Sequence, residues 1–233
     1  MNSWLTSNGL YIEQITSGRS NVFLITWKDK VVLVDTSVAR NLSKIERRLQ
    51  NLNIEHIDYL ALTHSHYDHS ANADCIRKKY GAKIIVHRSE ADYFSRGENI
   101  LPLGTNKITR FVTNQFGKKY LSMFNTYPCE ADVLIDDEYI IPGFDNLLRI
   151  IHTPGHTSGC ISLIADNEIA LVGDAMFGVF PGSIFPPYGN DVDNMVKSWK
   201  KLLDTGCKTF LPSHGSANKR ALVIKGWKKR SQK

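Results

Sequence analysis

The sequence has few of the features that mark secreted, membrane-spanning or disulfide-stabilised proteins. It has only 4 cysteines in 233 residues, and they are widely scattered, so we expect reduced thiols in a cytoplasmic protein rather than a disulfide framework. The residues up to Tyr11 include no basic segment followed by an apolar run, so no secretory signal is expected. No apolar stretch approaches the roughly eighteen residues that a membrane span requires.

The charge is modest and unevenly distributed. A total of 29 Lys and Arg against 23 Asp and Glu gives a net charge of +6, with a basic run between 225 and 233. A solvated helix end explains such a run as well as an anionic partner does. No basic stripe alternates with aromatic residues, as proteins that bind single-stranded nucleic acid require. The sequence therefore favours a small-molecule substrate and gives nucleic acid little support as a partner.

One short segment carries three histidines and one aspartate: His64, His66, Asp68 and His69. Imidazole and carboxylate are the ligands that Zn²⁺ and neighbouring metals prefer in hydrolytic sites. His64 and His66 are two residues apart, so they share a face only where the backbone is extended. An apolar run over 57–62 predicts a buried strand just before them. We therefore expect a metal-binding loop at the carboxyl end of that strand.

Three later residues belong to similar local patterns. His156, Asp174 and His214 each lie beside an apolar, β-branched run and next to Gly or Pro turn signals. Taken alone, each is more often an ordinary loop or cap residue than a ligand. The competing interpretation of the first segment is a polar loop with incidental histidines. Together, the four segments predict one site built from several strand ends.

These motifs resemble those of the metallo-β-lactamase-fold hydrolases, with a glyoxalase II-like or lactonase-like ligand set. The matching segments are HxHxDH at 64–69, TPGHT at 153–157, GD at 173–174, SHG at 213–215 and the VDT-like 33–36. The resemblance implies an α/β fold, a four-layer αββα sandwich of two mixed sheets with helices on the outer faces. We expect one such domain over 1–233, with a helical insertion at about 95–132.

The resemblance also implies how the ligands are shared between two divalent metal ions. The first ion would be held by His64, His66 and His156, the second by Asp68, His69 and His214, and Asp174 would bridge the two. Zn²⁺ is the expected metal, although Fe or Mn also suits such ligands.

The resemblance implies a hydrolytic mechanism and supporting roles for two further residues. A hydroxide bridging the metals would attack an acyl carbon, and Asp68 would hold the second metal and relay a proton. Asp35 is expected to steady the loop or a ligand imidazole. A strand-terminating aspartate before a turn explains Asp35 equally well. His152 is expected to be a supporting or structural residue beside the 153–157 motif.

The residues after Asp174 suggest the kind of substrate. The arginine-containing sequence of glyoxalase II is absent, and Phe177 stands where the lactonases have tyrosine. The candidate lining of an apolar pocket is Phe177, Phe180, Phe185 and Tyr188. A loop packed on itself is an equal alternative. A lined pocket would favour a thioester, lactone or related ester of a small, partly hydrophobic substrate. Two other functions stay open, a metal-dependent phosphodiesterase or nuclease and a metal-binding regulatory protein with little turnover.

Apolar residues recur every four positions within the 95–132 segment. Ile108, Val112, Phe116, Tyr120 and Phe124 would share one face of a long helix or helical hairpin. Core packing against the sheet is the favoured interpretation of this face. The alternatives are a wall over the substrate pocket or a surface for a homodimer.

Overall fold

The computed structural model describes residues 2–18, 20–99, 102–121 and 127–232, without the side chains of 118–121. The first half contains β1 (Ser3–Leu5), β2 (Tyr11–Thr16), β3 (Val22–Trp27), β4 (Lys30–Val34), α1 (Leu42–Asn51), β5 (Tyr59–Ala61), α2 (Tyr67–Ser70), α3 (Ala73–Tyr80), β6 (Lys83–His87), α4 (Arg88–Arg96) and α5 (Lys107–Leu121). The second half contains β7 (Val133–Ile135), β8 (Glu138–Ile140), β9 (Leu148–His152), β10 (Ile161–Ala165), β11 (Ile169–Gly173), α6 (Val192–Asp204), β12 (Thr209–Pro212), β13 (Asn218–Lys219) and α7 (Arg220–Ser231).

The strands form two mixed sheets. The first has the order β1-β2-β3-β4-β5-β6-β7 and the second the order β13-β12-β11-β10-β9-β8. Strands β1 to β4 pair antiparallel, whereas β4 to β7 pair parallel. In the second sheet only β11 and β12 pair parallel. The parallel pairs align the carboxyl ends of β4, β5, β11 and β12, and these ends lead into the candidate site residues.

Three apolar clusters divide the molecule into four layers. The central cluster joins the inner faces of both sheets, with Ile12 and Val32 from one and Ile150 and Leu163 from the other. A second cluster packs α1, α3 and α4 on the first sheet. A third packs α6 and α7 on the second sheet. The strands are therefore buried on both faces, one against the other sheet and one against helices, which gives the expected αββα sandwich.

The helix ends in the structure differ from those that the sequence predicts. The sequence predicts a helix over about 71–80 with Ser70 as its N-cap, but helix α3 begins at Ala73 with Asn72 at the N-cap position. Gly81 ends this helix with a φ of 73°, the left-handed conformation that glycine favours just after a helix C-terminus. The sequence also predicts a last helix over about 217–227; in the structure this helix begins at Arg220, because Asn218 and Lys219 pair with β12 as a short edge strand.

The apolar face of α5 does not pack into the core. The exposed fractions are 77% for Ile108, 42% for Val112 and 59% for Phe116, so the favoured interpretation of core packing is wrong for these residues. Phe111 on the same helix is 62% exposed. Tyr120 and Phe124 lie outside the described side chains. The four-residue period identified which side chains share a face, but not whether any other part of the chain covers that face.

Candidate metal centre

The first histidine segment is part loop and part helix. His64 and His66 follow β5 in a segment that is neither helix nor strand, and His66 is extended, with φ −60° and ψ 149°. The chain then forms the single helical turn α2, which contains Asp68 and His69. The prediction of a continuous loop is therefore corrected for these two residues. The turn matters because it folds their side chains back toward the two preceding histidines.

The remaining site residues come from the second sheet. His156 lies between β9 and β10. Asp174 directly follows β11, and His214 lies two residues beyond the end of β12. Gly173, at φ 53°, allows the two sheets to meet at this edge. A Cβ atom at Gly173 would lie 2.7 Å from the Cβ of Thr63, so a larger residue would push Asp174 away from the first segment.

His64, His66 and His156 form the first trio, a group of three buried imidazoles. The Nδ1 atom of His66 lies 2.9 Å from Nε2 of His64 and 3.1 Å from Nε2 of His156. Burial lowers the pKa of all three side chains, and neighbouring imidazoles lower the pKa values of His64 and His66 further. The first trio therefore presents neutral nitrogen lone pairs, the form that binds a cation.

Asp68, His69 and His214 form the second trio. The Nε2 atoms of His69 and His214 lie 3.8 and 3.6 Å from the carboxylate of Asp68. Burial alone would lower the pKa of His69, but the carboxylates of Asp35, Asp174 and Asp68 outweigh it and raise the pKa to about 10. The pKa of His214 is also raised, because Asp174 and Asp68 outweigh burial. Without a cation His69 therefore carries a proton at neutral pH, and the same carboxylates favour the protonated form of His214.

Asp174 lies between the two trios. Its Oδ2 atom is 3.4 Å from Nε2 of His156, whereas its Oδ1 atom is 3.3 Å from Nε2 of His214 and 3.6 Å from Nε2 of His69. Burial would raise the pKa of this carboxyl, but the three imidazoles hold it below its ordinary value. The ionised carboxylate thus presents one oxygen to each trio.

The donor set fits divalent cations. Within the described residues, Oδ1 of Asp174 and Nε2 of His69 are buried without a hydrogen-bond partner. Such atoms are costly unless a partner binds them. The donor atoms of each trio lie within 4.8 Å of one another, and imidazole nitrogen with carboxylate oxygen is a donor set typical of Zn²⁺. A cation bound by these atoms would therefore satisfy groups that the fold leaves unpaired.

Asp35 supports the second trio through a hydrogen bond to His69. Its carboxylate accepts hydrogen bonds from His69 Nδ1 at 2.8 Å, from the Thr63 backbone N–H at 2.8 Å and from the Ser213 hydroxyl at 3.0 Å. Donation from Nδ1 leaves Nε2 of His69 free for a cation. Asp35 also has a φ of 61°, a strained conformation for a residue other than glycine. The structure thus places Asp35 against an imidazole, as one of the two sequence interpretations expected.

His156 and His152 differ in what they support. His156 Nδ1 donates to the Tyr188 carbonyl at 3.0 Å, which leaves its Nε2 facing the first trio. His152 Nε2 pairs instead with the Ser158 carbonyl at 2.7 Å, and its ring stacks on His87 at 4.0 Å. His152 therefore supports the loop that follows His156, and no hydrogen bond, ion pair or ring contact in the described part of the chain joins it to the seven donor side chains.

The four predicted pocket residues point in different directions. Phe177 is buried and packs its ring against His214, with centroids 4.6 Å apart. Phe180 is 49% exposed. Phe185 packs on Trp199 and lies beneath the Arg230 guanidinium, 3.2 Å from it, on the outer helical side. Tyr188 contributes its carbonyl to His156. Of the four rings, that of Phe177 touches a candidate ligand.

Sequence reasoning missed one buried carboxylate beside the first trio. Glu90, in the first turn of α4, is 1% exposed and accepts hydrogen bonds from Ser65 and Thr157, which lie in the two segments that carry the first trio. It stands in the polar run Arg-Ser-Glu, which is typical of a solvated helix start. No local pattern in the sequence distinguishes it from a surface acid.

The fold and the donor cluster define a class of metal-binding hydrolases. The family model described as the metallo-beta-lactamase superfamily matches residues 15–214. The chain therefore belongs to the metallo-beta-lactamase superfamily, as the motifs suggested. None of the helices in the described part of the chain has the length and apolar character required to span a bilayer.

Similar proteins come from distant organisms. A probable metallo-hydrolase from Methanocaldococcus jannaschii is 26% identical over 86% of this chain and 90% of the relative. An acyl-coenzyme A thioesterase from Homo sapiens is 25% identical over 85% of this chain and 74% of the relative. The crystal structure of an archaeal superfamily protein from Sulfolobus tokodaii has a TM-score of 0.66 and 20% identity, and covers 94% of this chain and 85% of that chain. The last similarity shows the shared fold.

Proposed function

We propose that this protein is a metal-dependent hydrolase that cleaves an ester-type acyl bond, with a thioester as the preferred substrate class. The observation that carries the proposal is the position of Asp174, whose two oxygens face separate trios of donors. Seven donor side chains from separate strand ends meet there, and some of their buried atoms lack any other partner. A bound cation would supply the partner that these buried atoms lack.

In the proposed mechanism, the first trio and the second trio would each hold one divalent cation. Bound cations supply Lewis acidity, which acidifies water and polarises an acyl oxygen. Among the protein groups, Asp68 is suited to move the proton. Its side chain is 14% exposed, whereas that of Asp174 is 5% exposed. Asp68 would take a proton from the attacking water at its carboxylate and return it to the leaving group.

The surroundings of the cluster support a partly hydrophobic substrate. The segment from Ala175 to Asn190 contains no charged residue, and Phe177 packs directly on His214. A charged acyl group would find no counter-ion in this segment, whereas an apolar one would replace water at little cost. The similarity to an acyl-coenzyme A thioesterase favours a thioester over the other acyl bonds.

The test is metal analysis joined to a substrate panel. Protein loaded with Zn²⁺, Fe²⁺ or Mn²⁺ would be assayed with acyl thioesters, lactones, β-lactams and a phosphodiester. We expect two cations per chain and the highest kcat/KM for a thioester. Preferential turnover of the phosphodiester would favour a nuclease or phosphodiesterase instead. No rate above background with any metal would favour a regulatory metal-binding protein.

A further inference from the structure

A buried carboxylate joins the two segments that supply the first trio. Glu90 is 1% exposed, and a buried carboxylate is costly unless hydrogen bonds or a counter-ion compensate it. Within the described residues no Lys or Arg lies within ion-pair distance of it. Hydrogen-bond donors from other segments therefore compensate its charge.

These donors divide evenly between the two oxygens. Oε2 accepts from the backbone N–H of Ser65 at 3.0 Å and from the Ser65 hydroxyl. Oε1 accepts from the Thr157 hydroxyl at 2.7 Å and from the Gly159 N–H at 3.2 Å. Ser65 lies between two histidines of the first trio, and Thr157 follows the third. Each oxygen thus holds one ligand-bearing segment.

The backbone is shaped to admit this side chain. A Cβ atom at Gly159 would lie 2.5 Å from Cγ and 2.8 Å from Oε1 of Glu90. Any larger residue at 159 would force the carboxylate or the segment to move. The absence of a side chain at this position therefore allows the carboxylate to reach both segments at once.

We propose that Glu90 is a positioning residue for the first trio. By holding Ser65 and Thr157 on one carboxylate, it sets the separation between His66 and His156, whose ring nitrogens are 3.1 Å apart. Asp35 does the corresponding work for His69, which Glu90 does not touch. The inference rests on the proposed metal-binding function. It predicts that loss of Glu90 weakens the cation site of the first trio and spares that of the second.

The test compares Glu90→Gln with Glu13→Gln in the full chain. Glu13 is the matched control, since it is 5% exposed but pairs with Arg48 away from both trios. In Glu90→Gln an amide NH2 group replaces one carboxylate oxygen. It cannot accept hydrogen bonds, so one of the two segments loses its hydrogen bonds to residue 90. Zn²⁺ and Co²⁺ affinities would be measured by competition with a chromophoric chelator. Thermal unfolding of the metal-free variants would report any general loss of stability.

To isolate the first trio, the pair of variants would also be made in a His214→Ala background, which removes a donor of the second trio only. There we expect Glu90→Gln to weaken binding of the remaining cation by about ten- to a hundredfold. Glu13→Gln should leave that affinity unchanged. We also expect Glu90→Gln to alter the visible spectrum of bound Co²⁺. Unchanged affinity in Glu90→Gln, or an equal loss in both variants, would overturn the inference.

A milder variant covers the case in which Glu90→Gln does not fold. Thr157→Val removes one donor to Oε1 and leaves the carboxylate in place. It should weaken the same cation by a smaller factor, and an unchanged affinity would count against the inference. Because cation binding needs no substrate, the two proposals fail separately. Glu90-dependent binding without turnover would contradict only the hydrolase, and thioester turnover with no effect of Glu90 would contradict only the positioning role.

Discussion

The metal centre and helix α5 are opposite in how completely the chain specifies them. Every donor of the first trio is buried, and Asp35 and Glu90 fix the neighbouring segments with hydrogen bonds. Helix α5 exposes Ile108 and Phe116 by more than half. The difference shows that polar groups in the sandwich are fixed by pairing, whereas the apolar face of α5 has no described partner in the chain.

One end of α5 is nevertheless fixed to the edge of the centre. Asn106 caps the helix by accepting from the Thr109 N–H at 2.9 Å. Just before it, Thr105 donates its N–H to the Pro187 carbonyl at 3.0 Å and its hydroxyl to the Pro186 carbonyl. Tyr188, which follows Pro187 in the chain, accepts a hydrogen bond from His156 at its carbonyl. The residues just before the exposed helix are therefore attached to the 186–188 segment, which orients the candidate ligand His156.

The sequence could predict the parts of the molecule that local chemistry determines. The two-residue spacing of His64 and His66 indicated extended backbone after a strand, and in the structure neither residue is helical and His66 is extended. The strand alternation and the family motifs together indicated the sandwich. The ligand assignment itself stays a prediction, although the structure brings the seven side chains together.

Other features depend on tertiary contacts that no local pattern records. Glu90 is indistinguishable from a surface acid until α4 packs beside the first trio. The strand at 218–219 is too short to have a period. For α5, helical spacing predicted the element but could not predict its environment, since burial depends on what other segments reach that face. The error therefore concerns packing rather than secondary structure.

The largest effect should come from removing the residue between the trios. We expect Asp174→Ala to lower kcat/KM for the responding substrate by more than about a hundredfold, beyond the usual cost of losing a supporting contact. The physical reason is that both trios lose the oxygen that faces them. Asp204→Ala, at the exposed end of α6, is the control and should be silent. Undiminished activity would show that Asp174 takes no part in the mechanism and that the cluster has a structural role.

A smaller effect should follow from weakening the support under the second trio. Asp35→Asn keeps the side-chain size and tolerates the positive φ, but removes the charge beside His69. We expect the cation of the second trio to bind about ten- to a hundredfold more weakly, as measured by chelator competition. Asp58→Asn, which loses a carboxylate bonded to the Val31 N–H far from the centre, is the control. Equal affinities in the two variants would contradict a supporting role for Asp35.

Proton release should distinguish the two trios from each other. At pH 7 the pKa of His69, about 10, means that a cation must displace its proton, and the raised pKa of His214 acts in the same direction. Affinity for the second trio should therefore rise with pH, by about tenfold per unit for each displaced proton, until the pH passes those pKa values. The first trio, with lowered pKa values, should show little change above pH 7. Calorimetry in buffers of different ionisation enthalpy would count the protons, and release from neither site would contradict the assignment.

The smallest effect on stability should come from α5, and it tests whether the helix has a role at the site. We expect Ile108→Ser with Phe116→Ser to change the free energy of unfolding by less than about 0.5 kcal/mol, because these side chains are already exposed. Leu5→Ser, at a 67% exposed position in β1, is the matched control. Cation affinity and the turnover of an acetyl thioester should stay the same in both.

A long-chain acyl thioester should separate the α5 variant from its control. Since the chain just before the helix is attached beside Tyr188, the apolar face of the helix is one described surface that a long acyl group leaving the centre could cover. We expect KM for a dodecanoyl thioester to rise by about tenfold in the double variant and to stay constant in Leu5→Ser. The reason is that the bound acyl chain would partly bury Ile108 and Phe116, and the double variant loses this apolar contact. An equal KM in all three proteins, with a loss of dimer in light scattering, would instead assign the face to a second copy of the chain. In that case α5 would contribute to assembly and the metal centre alone would determine substrate choice.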